Sequence, residues 1–167
     1  YSAGEILDIL KDRAETGLKT VEPGMIEEIA GMTAKNTNGD VRVAIKALLY
    51  CATKEAPTVT ACFSKASEDV IKDVLGNTNE KALLILKAGL EEPTKLVKAV
   101  YQLYVTLSRS YREEPYGYTQ FYSTLTYLAS LGLVWLVSAK VDRTITNRVE
   151  SLISPEILSA VFAQRFQ

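Results

Sequence analysis

Arg42 is the side chain whose position is hardest to explain by packing. It stands in the first turn of a helix that Asp40 can cap. A cation there faces the positive end of the helix dipole, at a cost of about 0.3 to 1 kcal/mol unless an anion lies near. The anion can be Asp40 or another carboxylate, or it can be the phosphate of a nucleotide. A second group of chemistry-bearing residues runs from Tyr118 to Thr126. If a helix there commits Phe121, Leu125 and Leu128 to a core, its other face shows Tyr118, Thr119, Gln120, Tyr122, Ser123 and Thr126. These side chains donate and accept hydrogen bonds, as reading base edges in a DNA major groove requires. Gln120 is the best single candidate for a base contact; the bland alternative is that Tyr118 and Tyr122 pack on a neighbouring hairpin. Lys140, Arg143 and Arg148, with Lys95 and Lys98, are of the type that neutralises phosphates.

Other chemistries find little support. The chain has two cysteines, Cys51 and Cys62, and no histidine. Two thiols without histidine make a poor zinc site, and neither thiol has an imidazole to activate it, so both read as small buried hydrophobes. The adjacent acids Glu27-Glu28, Glu91-Glu92 and Glu113-Glu114 point in different directions on helices and read as solvated faces. No Gly-x-x-x-x-Gly-Lys-Ser/Thr phosphate cradle occurs, and no strand ends in paired acids that could hold magnesium. The chain is therefore expected to have no catalytic or metal-binding residues of its own and to be no enzyme by itself. No apolar run approaches the roughly 18 residues needed to span a bilayer, and Tyr1 to Leu10 lacks the form of a secretory signal, so a cytoplasmic protein without membrane contact is expected. A first residue that is Tyr and not Met suggests a piece of a longer chain.

The net charge of −1 hides an asymmetry. Residues 1–76 carry 9 basic and 12 acidic side chains, and residues 77–167 carry 10 basic and 8 acidic. A polyanion would choose the second half.

The elements that must position these residues are mostly helices. Ser2 and Glu5 have the spacing of a capping box, and Gly17 suits a left-handed stop. Pro23 suits the first turn of a second helix with Met25, Ile26, Ile29 and Ala30 inward. Val41, Ala44, Ile45, Leu48, Leu49 and Ala52 make one apolar stripe on a third. A fourth, capped by Thr60, runs through Phe63 and Ala66 and continues or kinks into Val70, Ile71, Val74 and Leu75, which makes four to five helices. With no strand signal, residues 1–76 read as a small helical bundle. Then Asn77 caps a helix over Ala82 to Leu90, Thr94 caps one carrying Val97, Val100 and Tyr104, and Thr119 to Leu131 forms a third with Gly132 as its stop. Leu133 to Val137 and Arg143 to Val149 read as an antiparallel pair with Ser138 to Asp142 at its tip, and Ser154-Pro155 opens a terminal helix. Three helices, a hairpin and a helix over residues 77–167 is the order of a winged helix.

Gly39-Asp40-Val41-Arg42-Val43-Ala44-Ile45 resembles the sensor-two motif of AAA+ ATPases, especially archaeal replication-origin initiators of the Orc/Cdc-six family. Ile6 to Glu15 resembles the helix that opens the lid of the same family. Gly117-Tyr118-Thr119-Gln120 and Leu131-Gly132-Leu133-Val134 resemble the start and end of its recognition helix, so the likeness spans nearly the whole chain. It implies a mainly α architecture, an AAA+ lid over residues 1–76 followed by a winged-helix DNA-binding domain over 77–167. It implies that Arg42 reaches the terminal phosphate of ATP, that Asp40 caps its helix, and that Ala44 and Ile45 pack inside the lid. ATP or ADP with magnesium would belong to the full-length protein and not to this chain. The implied partners are origin duplex DNA, other initiator subunits and the replicative helicase, in a nucleoid-associated protein. The tip Ser138-Ala139-Lys140-Val141-Asp142-Arg143 departs from the family's wing, because it has two cations, one acid and no glycine. Two other readings fit the same order of elements: a branch-migration type of AAA+ DNA motor, and a non-enzymatic module serving transcription or protein contact.

Overall fold

The computed structural model describes residues 1–37, 39–141 and 144–166, which form two compact units, Tyr1–Ile71 and Lys72–Gln167. In the first unit, α1 (Ala3–Gly17) begins at the expected capping box, with the Glu5 amide donating to Ser2 Oγ and the Ser2 amide to Glu5 Oε2. Gly17 is not a left-handed stop; it is the last helical residue, and Leu18 follows in an extended conformation. Helix α2 (Met25–Asn36) starts after Pro23, from a left-handed Gly24. Its buried Thr33 satisfies its hydroxyl on the Ile29 carbonyl, so a polar residue sits in the core without an orphaned donor. Asp40 caps α3 (Val41–Ala52). Just before it, Gly39 has a φ of +77° and lies so close to Tyr1 that a Cβ would run into the Tyr1 carbonyl, and both facts require glycine.

Helix α3 is turned differently from the expected stripe. Val43, Ala44, Ala47 and Leu48 are buried, whereas Ile45 and Leu49 are 37% and 53% exposed. The helix is apolar around most of its circumference, so its period offers two overlapping stripes. Packing against Ile6, Leu10, Ile26 and Ile29 in the same core selects one of them. Ile45 therefore does not pack inside the bundle as the resemblance implied. Helix α4 (Val59–Gly76) runs unbroken, and Thr58 rather than Thr60 receives the Ala61 amide at its start. The division between the units falls within α4, at 71/72, where the sequence reading placed it at 76/77.

In the second unit α5 (Glu80–Glu91) is capped by Asn79, not Asn77. It is buried nearly all round, through Leu83, Leu84, Ile85, Leu86 and Ala88, as expected of a central element. Helix α6 (Val97–Ser110) starts at Leu96 without a side-chain cap; the Thr94 hydroxyl donates to Glu92 and its oxygen accepts the Leu96 amide, ahead of the helix. Helix α7 (Tyr118–Ser130) buries Phe121, Leu125 and Leu128, and Gly132 ends it at a φ of +75°. Strands β1 (Val134–Val141) and β2 (Thr144–Ser151) pair antiparallel from Val134 with Ser151 to Val141 with Thr144. Both strands are longer than expected, so Ser138 to Val141 belong to the ladder, and the expected tip residues Asp142 and Arg143 lie outside the described residues. A bridge from Leu96 to Arg148 ties β2 to the start of α6. Gly89 lets β2 approach α5, since a Cβ there would meet Val149 Cγ1 at 3.2 Å. Helix α8 (Pro155–Arg165) opens on Ser154, and Arg165 returns to Gly76, Thr78 and Glu80 at the head of α5. This is the element order of a winged helix.

The ring of Phe121 is fully buried between Tyr101 and Tyr104, with centroids at 5.0 and 5.5 Å. Phe121→Ala should lower stability by about 3 to 5 kcal/mol, since removing a large core ring adds a cavity to the lost burial. Urea denaturation followed by tyrosine fluorescence would read it, and a loss below about 1 kcal/mol would contradict this packing.

Candidate functional site

Two groups of side chains were expected to do chemistry, one in each unit. In the first unit, Arg42 sits in the first turn of α3 with its side chain half exposed. Its guanidinium grips Asp40 with two bonds, Nε to Oδ1 at 2.9 Å and a terminal nitrogen to Oδ2 at 2.6 Å. Asp40 Oδ1 also accepts the Arg42 amide, so one carboxylate caps the helix and supplies the anion that the dipole argument requires. The hydrogen bond to Asp40 raises the guanidinium further above its ordinary range. At this exposure an ion pair contributes little to stability, and a stronger anion could displace Asp40 at small cost.

Cys51 and Cys62 line one cleft in this unit, with Met25, Pro57 and Val59 among its walls. Burial, reinforced by the Cys62 thiol against it, pushes the Cys51 thiol up to about 12. A thiol so far above neutrality carries almost no thiolate and is a weak nucleophile.

In the second unit, two tyrosines of α6 fix the start of α7. Tyr101 Oη donates to the Tyr116 carbonyl at 3.2 Å, and the Tyr116 amide donates to Tyr104 Oη at 3.0 Å. The segment before α7 is thereby pinned at both its donor and its acceptor. Gly117 then caps α7 without a side-chain bond, so among the described residues no capping side chain takes the first amides of the helix. Thr119, Gln120, Ser123 and Thr126 all lie exposed on the face away from Phe121, Leu125 and Leu128, as the spacing required. Thr126 returns its hydroxyl to the Tyr122 carbonyl and so offers only its acceptor lone pairs.

The two tyrosines of this face behave differently. Tyr118 is 42% exposed and rests edge-on against Tyr101, ring centroids 5.1 Å apart. Tyr122 is half buried, and its hydroxyl accepts from Asn147 Nδ2 on β2 at 2.9 Å. Between them and the hairpin runs an open groove of about 320 Å³, lined by Val97, Tyr118, Tyr122, Ile145, Thr146 and Asn147.

Strand pleating sorts the cations. Lys140 pairs with Ile145 and shares the face of Asn147, which meets α7. Arg148 lies on the other face, its guanidinium 3.7 Å from Glu150. Lys98 is exposed in the first turn of α6. Lys95 sits in a left-handed conformation and donates its ammonium to the Gly89 and Leu90 carbonyls at 3.1 and 2.6 Å, closing the end of α5. Tyr118 and Tyr122 thus face the hairpin and Lys140 shares the strand face of Asn147, while Thr119 and Gln120 stand exposed further round α7; Arg148 lies on the far face of the hairpin, and Lys95 is engaged at the end of α5. Arg143 lies outside the described residues. Asn147 and Ile145 were missed by the sequence reading; the alternation of β2 was the signal that could have found them. Among the described residues no group of acids and cysteines is arranged to hold a metal, and no helix is long and apolar enough to cross a membrane.

Residues 7–62 match the family model of the Cdc6 AAA+ ATPase-type lid domain. The ORC1-type DNA replication protein 2 of Saccharolobus solfataricus is 28% identical over 155 residues, in a match that covers 80% of this chain and 38% of that protein. The chain thus spans well under half of that relative's length. Among solved structures, the Aeropyrum pernix Orc1 protein in complex with DNA superposes over 99% of this chain and 47% of its own, with a TM-score of 0.74 at 20% identity. At that identity the likeness speaks for the fold.

Asp40 and Arg42 should separate on substitution. Asp40→Ala removes the cap and should cost about 0.5 to 2 kcal/mol, whereas Arg42→Ala should change stability by no more than about 0.5 kcal/mol. Thermal melts of the two variants would test this; a loss of several kcal/mol for Arg42→Ala would make it a structural ion-pair partner.

Proposed function

Because this chain is a member of the Orc/Cdc6 family, carrying that family's lid and fold, we propose that it is the DNA-gripping and nucleotide-sensing part of a replication initiator. The observation that carries the DNA-binding half is the outer face of α7. It holds exposed side chains that form hydrogen bonds, an uncapped amino terminus, and beside it a hairpin face that bears Lys140. A helix with this face enters a major groove, its first amides and Lys140 meet the phosphates on either side, and Gln120, exposed in the first turn, reads a base edge. Lys98 adds to the phosphate contacts.

The nucleotide-sensing half rests on Arg42. Its guanidinium is exposed, held among the described residues by Asp40, and placed at a helix start by a motif that resembles the family's sensor type. The triphosphate of ATP, held with magnesium by an ATPase domain, offers the stronger anion. Arg42 then exchanges Asp40 for phosphate and reports nucleotide to the lid. This chain has no phosphate cradle of its own, and the hydrolysis belongs to the ATPase domain. Other initiator subunits and the replicative helicase are the expected protein partners, in a cytoplasmic, nucleoid-associated setting. In a protein that includes the ATPase domain, Arg42→Ala should impair ATP turnover or the response to ATP, read in a steady-state phosphate-release assay.

With about four phosphates contacted, the logarithm of affinity should fall with the logarithm of salt at a slope of about −4, and a slope near zero would remove DNA as the partner. Gln120→Ala should lose discrimination of about 1 to 3 kcal/mol at one base pair and leave the salt slope unchanged. Lys140→Ala should weaken binding to every sequence and reduce the slope by about one unit. Arg148→Ala, on the far face, should do neither. Competition binding with an origin duplex and a scrambled duplex at two salt concentrations distinguishes these outcomes; identical behaviour of the Gln120 and Lys140 variants would contradict the docking.

A further inference from the structure

The groove between α7 and the hairpin has a floor with a defined direction of hydrogen bonding. Ser138 Oγ donates to Asn147 Oδ1 at 3.5 Å, and Asn147 Nδ2 donates to Tyr122 Oη at 2.9 Å. The amide is thus oriented from one side by the ladder and delivers its N–H to the tyrosine on the other. A phenolic oxygen has one proton to give, and here it is already an acceptor. Its own O–H is therefore free to point away from Asn147, and no protein acceptor takes it among the described residues. Both Tyr122 and Asn147 line the groove. The Tyr122 hydroxyl is thus a donor held in a fixed orientation in this groove, beside Tyr118, Thr146 and Ile145, the last 78% exposed. An oriented hydroxyl donor in an open, largely polar groove beside α7 suits the anionic oxygen of a phosphodiester strand.

We infer that Tyr122 donates to one phosphate of the duplex strand that passes between α7 and the hairpin, and that Asn147 is the positioning residue that aims this donor and holds the hairpin to the recognition helix. The inference rests on the DNA-binding reading above and deepens it by naming a phosphate subsite. Tyr122 then serves as a backbone anchor, unlike Gln120, and contributes equally to all sequences. Asn147 controls the sign of the contact. An amide makes the tyrosine an acceptor towards β2 and a donor towards DNA. A carboxylate in the same place would draw the tyrosine proton to itself.

The test uses the full chain and one fixed-sequence duplex in which a single phosphate at a time is replaced by an uncharged methylphosphonate. In the unaltered protein one phosphate, or two adjacent ones, should stand out at the Tyr122 contact, with affinity reduced about tenfold, as hydrogen bonds to a charged acceptor allow. Tyr122→Phe keeps the ring beside Tyr118 but removes the donor. It should weaken binding to the unmodified duplex about tenfold and abolish the response at that position alone. Asn147→Asp retains the tyrosine hydroxyl yet should erase the same position from the profile, because the donor is turned inward. A merely structural role for Asn147 would lower affinity without changing which phosphates matter. Melting curves of both variants establish that they are folded. If Tyr122→Phe leaves the position-dependent profile intact, or if its effect and that of the methylphosphonate simply add, the subsite is overturned while DNA binding stands. If the unaltered protein does not bind the duplex at all, the DNA-binding reading itself falls and the subsite with it.

Discussion

The burial of Phe121, Leu125 and Leu128 is the constraint on which the second unit turns. All three are fully enclosed, and they lie on one side of α7 at offsets of four and three. A helix cannot bury that stripe without presenting the residues between, so Thr119, Gln120, Ser123 and Thr126 are placed outside by the same contacts. Tyr101 and Tyr104 add the second half of the constraint. Their rings pack on Phe121, while their hydroxyls hold the carbonyl and amide of Tyr116. The rotation of α7 and the position of its first turn are therefore set by one aromatic cluster.

The hairpin completes this face by a different physical rule. Pleating alternates side chains between two faces, so Lys140, Ile145, Asn147 and Val149 go together, and Trp135, Val137 and Arg148 go to the other side. Val149 anchors the first set by packing into the core close to Gly89. Once Val149 is inside, every second residue towards the tip is committed to the α7 side. The cations are thus sorted by parity more than by their distance along the chain. Lys95 shows another limit of reading charge from sequence. Its ammonium closes the carbonyl end of α5, where the helix dipole is negative, and it acts as a capping residue.

The first unit has a different design. Its core draws on all four helices, from Ile6 and Leu10 through Ile29 and Leu48 to Phe63 and Ala66. Arg42 stands outside that core at a helix start and is held by one carboxylate that also serves as the cap. Such an arrangement keeps a guanidinium oriented and charged without burying it, and so leaves it exchangeable. Ile45 and Leu49, on the same helix, remain exposed.

The sequence by itself determined much of this. Local signals with a short range of cause were legible: the capping box at Ser2 and Glu5, the Asp40 cap, the stripe of α7, the stop at Gly132, and the opening of α8 at Ser154. Each depends on residues within one or two turns of one another, so no knowledge of the rest of the chain is needed. The family likeness was legible for the same reason, being carried by contiguous motifs around Arg42 and Tyr118. Only the tertiary structure decided the rest. It chose between the two apolar stripes of α3, because a helix apolar on most of its surface has no preferred face until its neighbours exist. It extended the hairpin through Ser138 to Val141, since a polar segment joins a ladder when the paired strand satisfies its backbone. It took Lys95 away from the candidate interface and joined Tyr122 to Asn147, 25 residues apart in the chain. Those contacts depend on where two distant segments meet, and a distance of that kind is fixed by packing, to which no local pattern of residues refers.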